Sequence, residues 1–269
     1  MNYTISVIIP ALNEESNLDR ALQNVVEVFA RLKIRGEIVA VNDGSTDRTQ
    51  AIIEQWMKRL PFIRLVRHDN RMGIGASFWD GVGSSTGEIV TMLPGDAEND
   101  AYEILRYLPM MEHVDMVVPF VYNREVRSRT RRVISKLYIS LINLSFGTGL
   151  NYFNGTVLYR KCIFDGISLK SAGFFYQTEL LVKCIRRGYL YAEVPCALRH
   201  RSAGRSKALS LKSLLAVGRG YASTLAAVCF TGAEQTSVHP NSATSHRQRI
   251  LTSEGAKAED RTCTEEVRS

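Results

Sequence analysis

Two apolar, β-branched runs, each stopped abruptly by polar and acidic residues, leave few architectures open to this chain. Ile5-Ser6-Val7-Ile8-Ile9-Pro10-Ala11 runs into Leu12-Asn13-Glu14-Glu15, and Ile38-Val39-Ala40-Val41 runs into Asn42-Asp43-Gly44-Ser45-Thr46-Asp47. A helix-forming stretch follows each run. Neighbouring strands of an α/β sheet would then carry the polar residues at their carboxyl ends, where such sheets bind ligands. A third run, Glu88 to Leu93, ends in Pro94-Gly95-Asp96-Ala97-Glu98-Asn99-Asp100, with three carboxylates alternating along the chain. Acids clustered there suit a divalent cation and a phosphorylated ligand.

Periodicity fills in the rest. Leu18, Leu22, Val25, Phe29 and Leu32 repeat at helical spacing within Ser16–Lys33, with Ser16 as the candidate N-cap. A strand is expected at Glu37–Val41, a helix from Asp47 to Arg59, a strand at Phe62–Arg67, a helix at Ala76–Ser84 and a strand at Ile89–Leu93. This alternation predicts βαβ units and a largely parallel sheet. The second half is less regular. It predicts strands at Asp115–Phe120, Gly155–Tyr159 and Tyr191–Pro195, and helices at Val133–Ser145, Tyr176–Arg187 and Lys207–Phe230. Three segments result: a domain over 1–207, a cationic amphipathic helix over 208–230, and a polar tail over 231–269 expected to be disordered.

The 269 residues carry a net charge of +7, which leaves phosphorylated substrate, acidic membrane and nucleic acid open as partners. Nucleic acid is excluded by the three acidic strand ends and by the lack of aromatics beside the basic runs. The five cysteines are scattered without metal-ligand spacing and read as reduced thiols of a cytosolic protein. No signal peptide is expected, and no apolar stretch reaches the ~18 residues that span a bilayer.

Each candidate site has a plain structural alternative. Asp96, Glu98 and Asp100 read as ligands of Mg²⁺ or Mn²⁺, or as a solvated loop opening a helix. Asn13-Glu14-Glu15 and Asp43 to Asp47 read as ligand loops or as turns and N-caps, with Asp43 placed to meet a base or ribose. In His68-Asp69-Asn70-Arg71-Met72-Gly73-Ile74-Gly75 the glycines allow the backbone to approach a phosphate. Two basic runs, Arg124 to Lys136 and Arg199 to Arg219, are either solvated faces or a site that neutralises several phosphates. Lys207–Phe230 either lies on an anionic membrane or packs on the sheet, and His200 is a proton-transfer or phosphate-contacting candidate. No catalytic triad, Walker loop or zinc signature is present.

The ordered set Pro10-Ala11-Leu12-Asn13-Glu14-Glu15, Asn42-Asp43-Gly44-Ser45-Thr46-Asp47 and His68…Asn70…Gly73…Gly75 resembles the inverting, family-two nucleotide-sugar glycosyltransferases of GT-A fold. Within them the chain is most similar to the dolichol- or polyprenyl-phosphate mannosyl- and glucosyltransferases, over roughly Ile5 to Lys207. The resemblance implies a GT-A-like, Rossmann-type mixed and mostly parallel sheet flanked by helices. It implies that Pro10, Ala11, Asn13, Glu14, Asp43 and Gly73 hold a GDP- or UDP-linked sugar, and that Asp96 and Glu98, with Asp100, hold the metal. Arg201-Ser202-Ala203-Gly204-Arg205-Ser206-Lys207 is similar to the group's Arg-x-x-Gly-x-Ser-Lys element, which gives Arg201 and Lys207 to the donor diphosphate and acceptor phosphate. Arg124, Arg131 and Ser135 fall where acceptor-phosphate residues lie, with Arg132 one residue away as the alternative.

The chain departs from the group at several points. Asp-Ala-Glu replaces Asp-Ala-Asp, Asn42 replaces the commoner Asp, and Asn154-Gly155-Thr156 stands in place of Ser-Gly-Phe. The membrane-bound relatives append spanning helices, whereas an amphipathic segment and a polar tail close this chain. The implied activity is transfer of a hexose to polyprenyl phosphate at the cytoplasmic face of a membrane. Transfer to a saccharide hydroxyl in cell-surface polysaccharide synthesis, and sugar-nucleotide binding without catalysis, are the alternatives.

Overall fold

The structure is a computed structural model and describes residues 4–169, 171–197, 211–230 and 238–253. Four strands with intervening helices open the chain: β1 (Ile5–Ala11), α1 (Leu18–Leu32), β2 (Gly36–Asp43), α2 (Thr49–Arg59), β3 (Ile63–His68), α3 (Ile74–Ser84) and β4 (Ile89–Met92). There follow α4 (Ala101–Leu105), β5 (Met116–Val121), α5 (Arg129–Phe146), β6 (Leu158–Arg160), α6 (Tyr176–Arg186), β7 (Tyr191–Cys196) and α7 (Leu211–Phe230). A last helix, α8, spans 243–253.

The seven strands form one sheet in the order β3-β2-β1-β4-β6-β5-β7. β6 runs antiparallel to β4 and β5, and every other pairing is parallel. The mixed, mostly parallel architecture expected from the sequence is therefore found. β1 is buried along its whole length because helices cover both faces of the sheet, which is why its sequence is nearly all apolar. Ile5, Val7, Ile9 and Ala11 join Leu18, Leu22, Val25 and Ile53 on one side; Ile8 joins Phe78, Phe175 and Leu180 on the other.

The chain passes from β1 to β2 and β3 on one side, then returns to place β4 on the other side of β1. Strand order thus reverses at the β1–β4 boundary, and the crevice outside those carboxyl ends is where open α/β sheets take ligands. β5 and β7 run in the same direction as β4, so the segments after Val121 and Cys196 leave from that same edge.

At the opposite edge, Glu37 ties β1, β3 and the end of α3 together. Burial alone would raise its carboxyl, but hydrogen bonds from Ser6 Oγ and from the Thr86 N–H and hydroxyl, with Arg64 alongside, hold it below its ordinary value.

Local details differ from the sequence reading. Asn17 rather than Ser16 precedes α1, because the Glu14 carbonyl takes the N–H groups of Asn17 and Leu18. The acidic loop does open a short helix, α4, as its alternative reading had it; Asp100 caps it by accepting from Tyr102 N at 3.1 Å. The expectation of disorder over the whole of 231–269 does not hold for 238–253. There Ser242 and Thr244 are buried, and the Asp115 carboxylate accepts from Ala243 N at 2.7 Å and Thr244 N at 3.0 Å. Cys162, Cys184 and Cys196 carry free thiols; burial pushes Cys162 up to about 11 and Cys196 up to about 12.

Candidate active site at the strand tips

The loops after β1 and β2 are laced together. Asn13, in the left-handed region at φ 55°, accepts from Thr46 N at 2.8 Å and gives its own N–H to Ser45 Oγ at 3.0 Å. Glu14 N donates to Thr49 Oγ1 at 2.9 Å and Glu15 N to Asp47 Oδ2 at 3.1 Å, while Arg48 N donates back to Glu15 Oε2 at 3.1 Å. Short polar side chains supply these bonds, which explains the run of Asn, Ser, Thr and Asp at both strand ends. Asn42 Oδ1 closes the β2 turn by accepting from Ser45 N at 3.0 Å.

Pro10 and Ala11 are buried at the end of β1. The Pro10 carbonyl accepts from Gly95 N at 3.0 Å, bringing the acidic loop after β4 against the β1 tip. Gly95 permits the approach: a Cβ there would sit 3.1 Å from Leu18 Cδ1 and 3.3 Å from Ala11 Cβ. Asp96 follows at once. Its Oδ1 accepts from Glu98 N at 3.1 Å across Ala97, itself held at φ 55°.

The three acids do not converge. Asp100 turns away to cap α4 and to accept from Asn24 Nδ2 at 3.1 Å. Among the described residues no group of three or more acidic, His or Cys side chains is placed to hold a metal ion. Asp96 and Glu98 remain as a pair of hard oxygen donors at the switch point. Such a pair fits Mg²⁺ or Mn²⁺, which take most of their remaining ligands from phosphate oxygens and water. Asp100 fits a structural role, against the expectation of a third ligand.

Asp43 and Gly73 are bonded to each other. Asp43 is 4% exposed, and its carboxylate accepts from Met72 N at 2.7 Å, Gly73 N at 3.0 Å and His68 Nδ1 at 2.9 Å. It organises the loop after β3. The space freed by Gly73 and Gly75 is filled by chain, not left for a phosphate. Cβ atoms at these positions would lie 2.7 Å from Ala172 O and 2.6 Å from Ser171 O, and Gly75 N donates to Ala172 O at 2.8 Å.

Past β5, a cavity of about 390 Å³ opens on α5. Arg127, Arg129, Arg132, Lys136 and Ser135 line it, together with Val121, Ile139 and Tyr152. Ser135, expected from the resemblance at the acceptor phosphate, is one of these lining residues. Arg132, the alternative to Arg131, is among the lining residues, and the Arg131 backbone N–H donates to the capping Ser128 Oγ at 3.4 Å. Arg124 starts a short 3₁₀ turn (Arg124–Val126), and its side chain lies outside the described residues. Arg127 donates to Tyr152 OH at 3.0 Å, which fixes one wall. The sequence assigned no individual role to Arg127, Arg129 or Lys136, although their common charge run pointed to them. Arg201, Lys207 and His200 lie outside the described residues.

α7 is committed to packing. Tyr221 OH bonds Ser145 Oγ at 2.8 Å and its ring meets Phe146 edge-on, while Val217 and Leu225 face the core. α5 instead leaves Val133, Ile134, Leu137, Leu141 and Leu144 exposed. Among the described residues no helix is long and apolar enough to cross a membrane.

Comparison with known proteins agrees with this geometry. The chain is 31% identical over 167 residues to an undecaprenyl-phosphate 4-deoxy-4-formamido-L-arabinose transferase of Pseudomonas syringae pv. syringae (strain B728a), covering 61% of this chain and 49% of that protein. A protein of the same name from Pseudomonas savastanoi pv. phaseolicola (strain 1448A / Race 6) is 30% identical over the same shares. The chain thus spans about half the length of the curated relatives it matches.

Among solved structures, glucosyl-3-phosphoglycerate synthase of Mycobacterium tuberculosis superposes with a TM-score of 0.64 at 20% identity, over 85% of this chain and 82% of that one. Its complex with Mn²⁺, UDP and phosphoglyceric acid gives 0.60 at 21% identity, over 85% and 79%. These likenesses establish the GT-A-type fold. The profile of glycosyl transferase family 2 matches residues 6–172, the stretch that builds the β1–β4 crevice, and the chain belongs to that family.

Proposed function

We propose that this chain moves a hexose from a GDP- or UDP-linked sugar to a polyprenyl phosphate, with inversion, at the cytoplasmic face of a membrane. One observation carries the reading: the Asp96–Glu98 pair at the β1–β4 switch point and the cationic cavity on α5 both sit outside the carboxyl edge of one sheet. The first suits a diphosphate with its metal, the second an anionic acceptor.

The acceptor oxygen attacks the anomeric carbon from the face opposite the departing diphosphate, which leaves with the bonding electron pair. A phosphate acceptor is already ionised at neutral pH and needs no general base, whereas a hydroxyl acceptor does. Mg²⁺ or Mn²⁺ held by Asp96 and Glu98 supplies Lewis-acid stabilisation of the diphosphate when bound. Arg129, Arg132 and Lys136 bind and orient the acceptor phosphate, with Ser135 as a neutral donor. Undecaprenyl phosphate in the names of the curated relatives and Mn²⁺ with UDP in the structural relatives support the same reading.

The membrane side of the reading rests on α5. Its exposed Val133, Ile134, Leu137, Leu141 and Leu144 recur at helical spacing beside the cationic cavity, a combination that suits an anionic lipid surface. The sequence had offered α7 for that face, with packing on the sheet as its alternative.

Incubating the chain with radiolabelled UDP- or GDP-hexose, Mn²⁺ and detergent-dispersed polyprenyl phosphate tests the reading. Label should enter the organic phase, and Arg132→Ala should weaken acceptor use about 10- to 100-fold through loss of a charge-assisted hydrogen bond. Label appearing only on a water-soluble saccharide counts against the lipid acceptor.

A further inference from the structure

The cations around the α5 cavity are not held alike. Arg129 and Lys136 are exposed and Arg132 is half-buried, and among the described residues no hydrogen bond or ion pair holds their side chains. Long side chains of this kind lose rotamer freedom when an anion fixes them, which offsets part of what the contact contributes. Arg127 is different. It stands just before the capping Ser128, outside α5, and is half-buried. Its Nη2 donates to Tyr152 OH at 3.0 Å, and its Cζ stands 5.5 Å from the centre of the Tyr152 ring. A neutral phenol takes one N–H without cancelling the charge, so the rest of the guanidinium fork stays open to an anion.

Tyr152 is itself fixed. It is 9% exposed, and its segment is tied to three elements. Asn143 on α5 brackets Leu150, with Nδ2 donating to Leu150 O at 2.9 Å and Oδ1 accepting from Leu150 N at 3.2 Å. Glu193 on β7 accepts from Asn151 N at 2.8 Å and from Asn151 Nδ2 at 2.9 Å, and Gln177 on α6 donates to Gly155 O. Gly155 lies so close to β5 that a Cβ there would sit 2.7 Å from Pro119 O. The ring is therefore a post in the cavity wall, set from the sheet and from two helices.

We infer that, given the acceptor site proposed above, Tyr152 is a positioning residue for the acceptor phosphate. It holds Arg127 in place before the ligand arrives, so that one cation of the cavity meets the phosphate without first being ordered. Neither the sequence motifs nor the family match gives Tyr152 or Arg127 this task.

Calorimetric titration of citronellyl phosphate, a short prenyl phosphate, into the full chain tests this, alongside steady-state rates with the same acceptor. Tyr152→Phe removes only the hydroxyl; it should weaken binding and raise the acceptor KM about 3- to 10-fold, with kcat and the donor KM little changed. Arg127→Ala should weaken binding further, about 10- to 100-fold, through loss of a charge-assisted contact. In the Arg127→Ala background Tyr152→Phe should add nothing, because its effect passes through Arg127. The acceptor KM reads the same cycle where binding is too weak for calorimetry. A Tyr152→Phe protein that binds as the parent does overturns the positioning role. So does a loss of the same size with and without Arg127, which would make Tyr152 a direct contact or a packing residue. A parent chain that neither binds nor glycosylates citronellyl phosphate overturns the acceptor reading itself, and the role of Tyr152 with it.

Discussion

Asp96→Asn lowers sugar transfer at least ~100-fold at saturating donor while leaving the melting temperature close to that of the parent. The carboxylate stands at the sheet's switch point because Gly95 N is bonded to Pro10 O at 3.0 Å, so its position is set by backbone that the substitution does not touch. Asparagine keeps the side-chain oxygen that accepts from Glu98 N, a bond of 3.1 Å in the parent, and the loop should therefore survive. What disappears is the negative charge facing the cation and diphosphate, where a metal ion contributes several kcal/mol to stabilising developing charge. Initial rates and a thermal melt on the same preparation check both halves. Turnover within a few-fold of the parent would remove the metal role from this loop.

The largest effect on stability is expected far from that crevice. Asp115 is fully buried and accepts from Ala243 N, Thr244 N and Thr244 Oγ1, with Arg160 Nε at 3.3 Å. Thr244 Oγ1 in turn accepts from Leu190 N at 2.8 Å, and His239 N donates to Tyr189 OH at 3.1 Å. The carboxylate therefore caps α8 and pairs a buried arginine at once. Asp115→Ala should cost about 3–5 kcal/mol, because it leaves both Arg160 and the helix N-terminus uncompensated in the interior. Deleting 238–269 should destabilise in the same direction by exposing the pair from the other side. Urea midpoints of both variants check this; a loss under about 1 kcal/mol in each would mean that the C-terminal segment rests on the sheet without supporting it.

Much of the fold was legible because burial on both faces of a parallel sheet forces long apolar runs, and their abrupt polar ends mark the ligand edge. β1, β2 and β4 were read from that pattern. The commitments of individual side chains were not. Met72 and Gly73 bond to Asp43 from a loop about 30 residues on, and Asn24, 76 residues away, bonds to Asp100. No local pattern carries such partners. Gly73 and Gly75 allow close approach, as glycines do, but only the tertiary structure shows that Ser171 and Ala172 are what approaches.

The choice between packing and exposure for α5 and α7 has the same origin. Both helices are apolar and cationic in sequence, and the contacts of Tyr221 with Ser145 and Phe146 decide which of them packs inward. The polar segment 238–253 lacks the apolar period that marks a helix, because Asp115 and backbone bonds rather than an apolar face hold its start.

Titration of UDP or GDP into the full chain with and without Mn²⁺, for the parent and for Asp96→Asn, decides whether the acids beyond β4 grip a cation against the donor's diphosphate. Mn²⁺ should tighten nucleotide binding at least ~10-fold in the parent, within the range usual for coupled ligands, and leave the variant nearly unaffected. Affinity that is the same with and without the ion, or an ion effect that survives intact in Asp96→Asn, would contradict it.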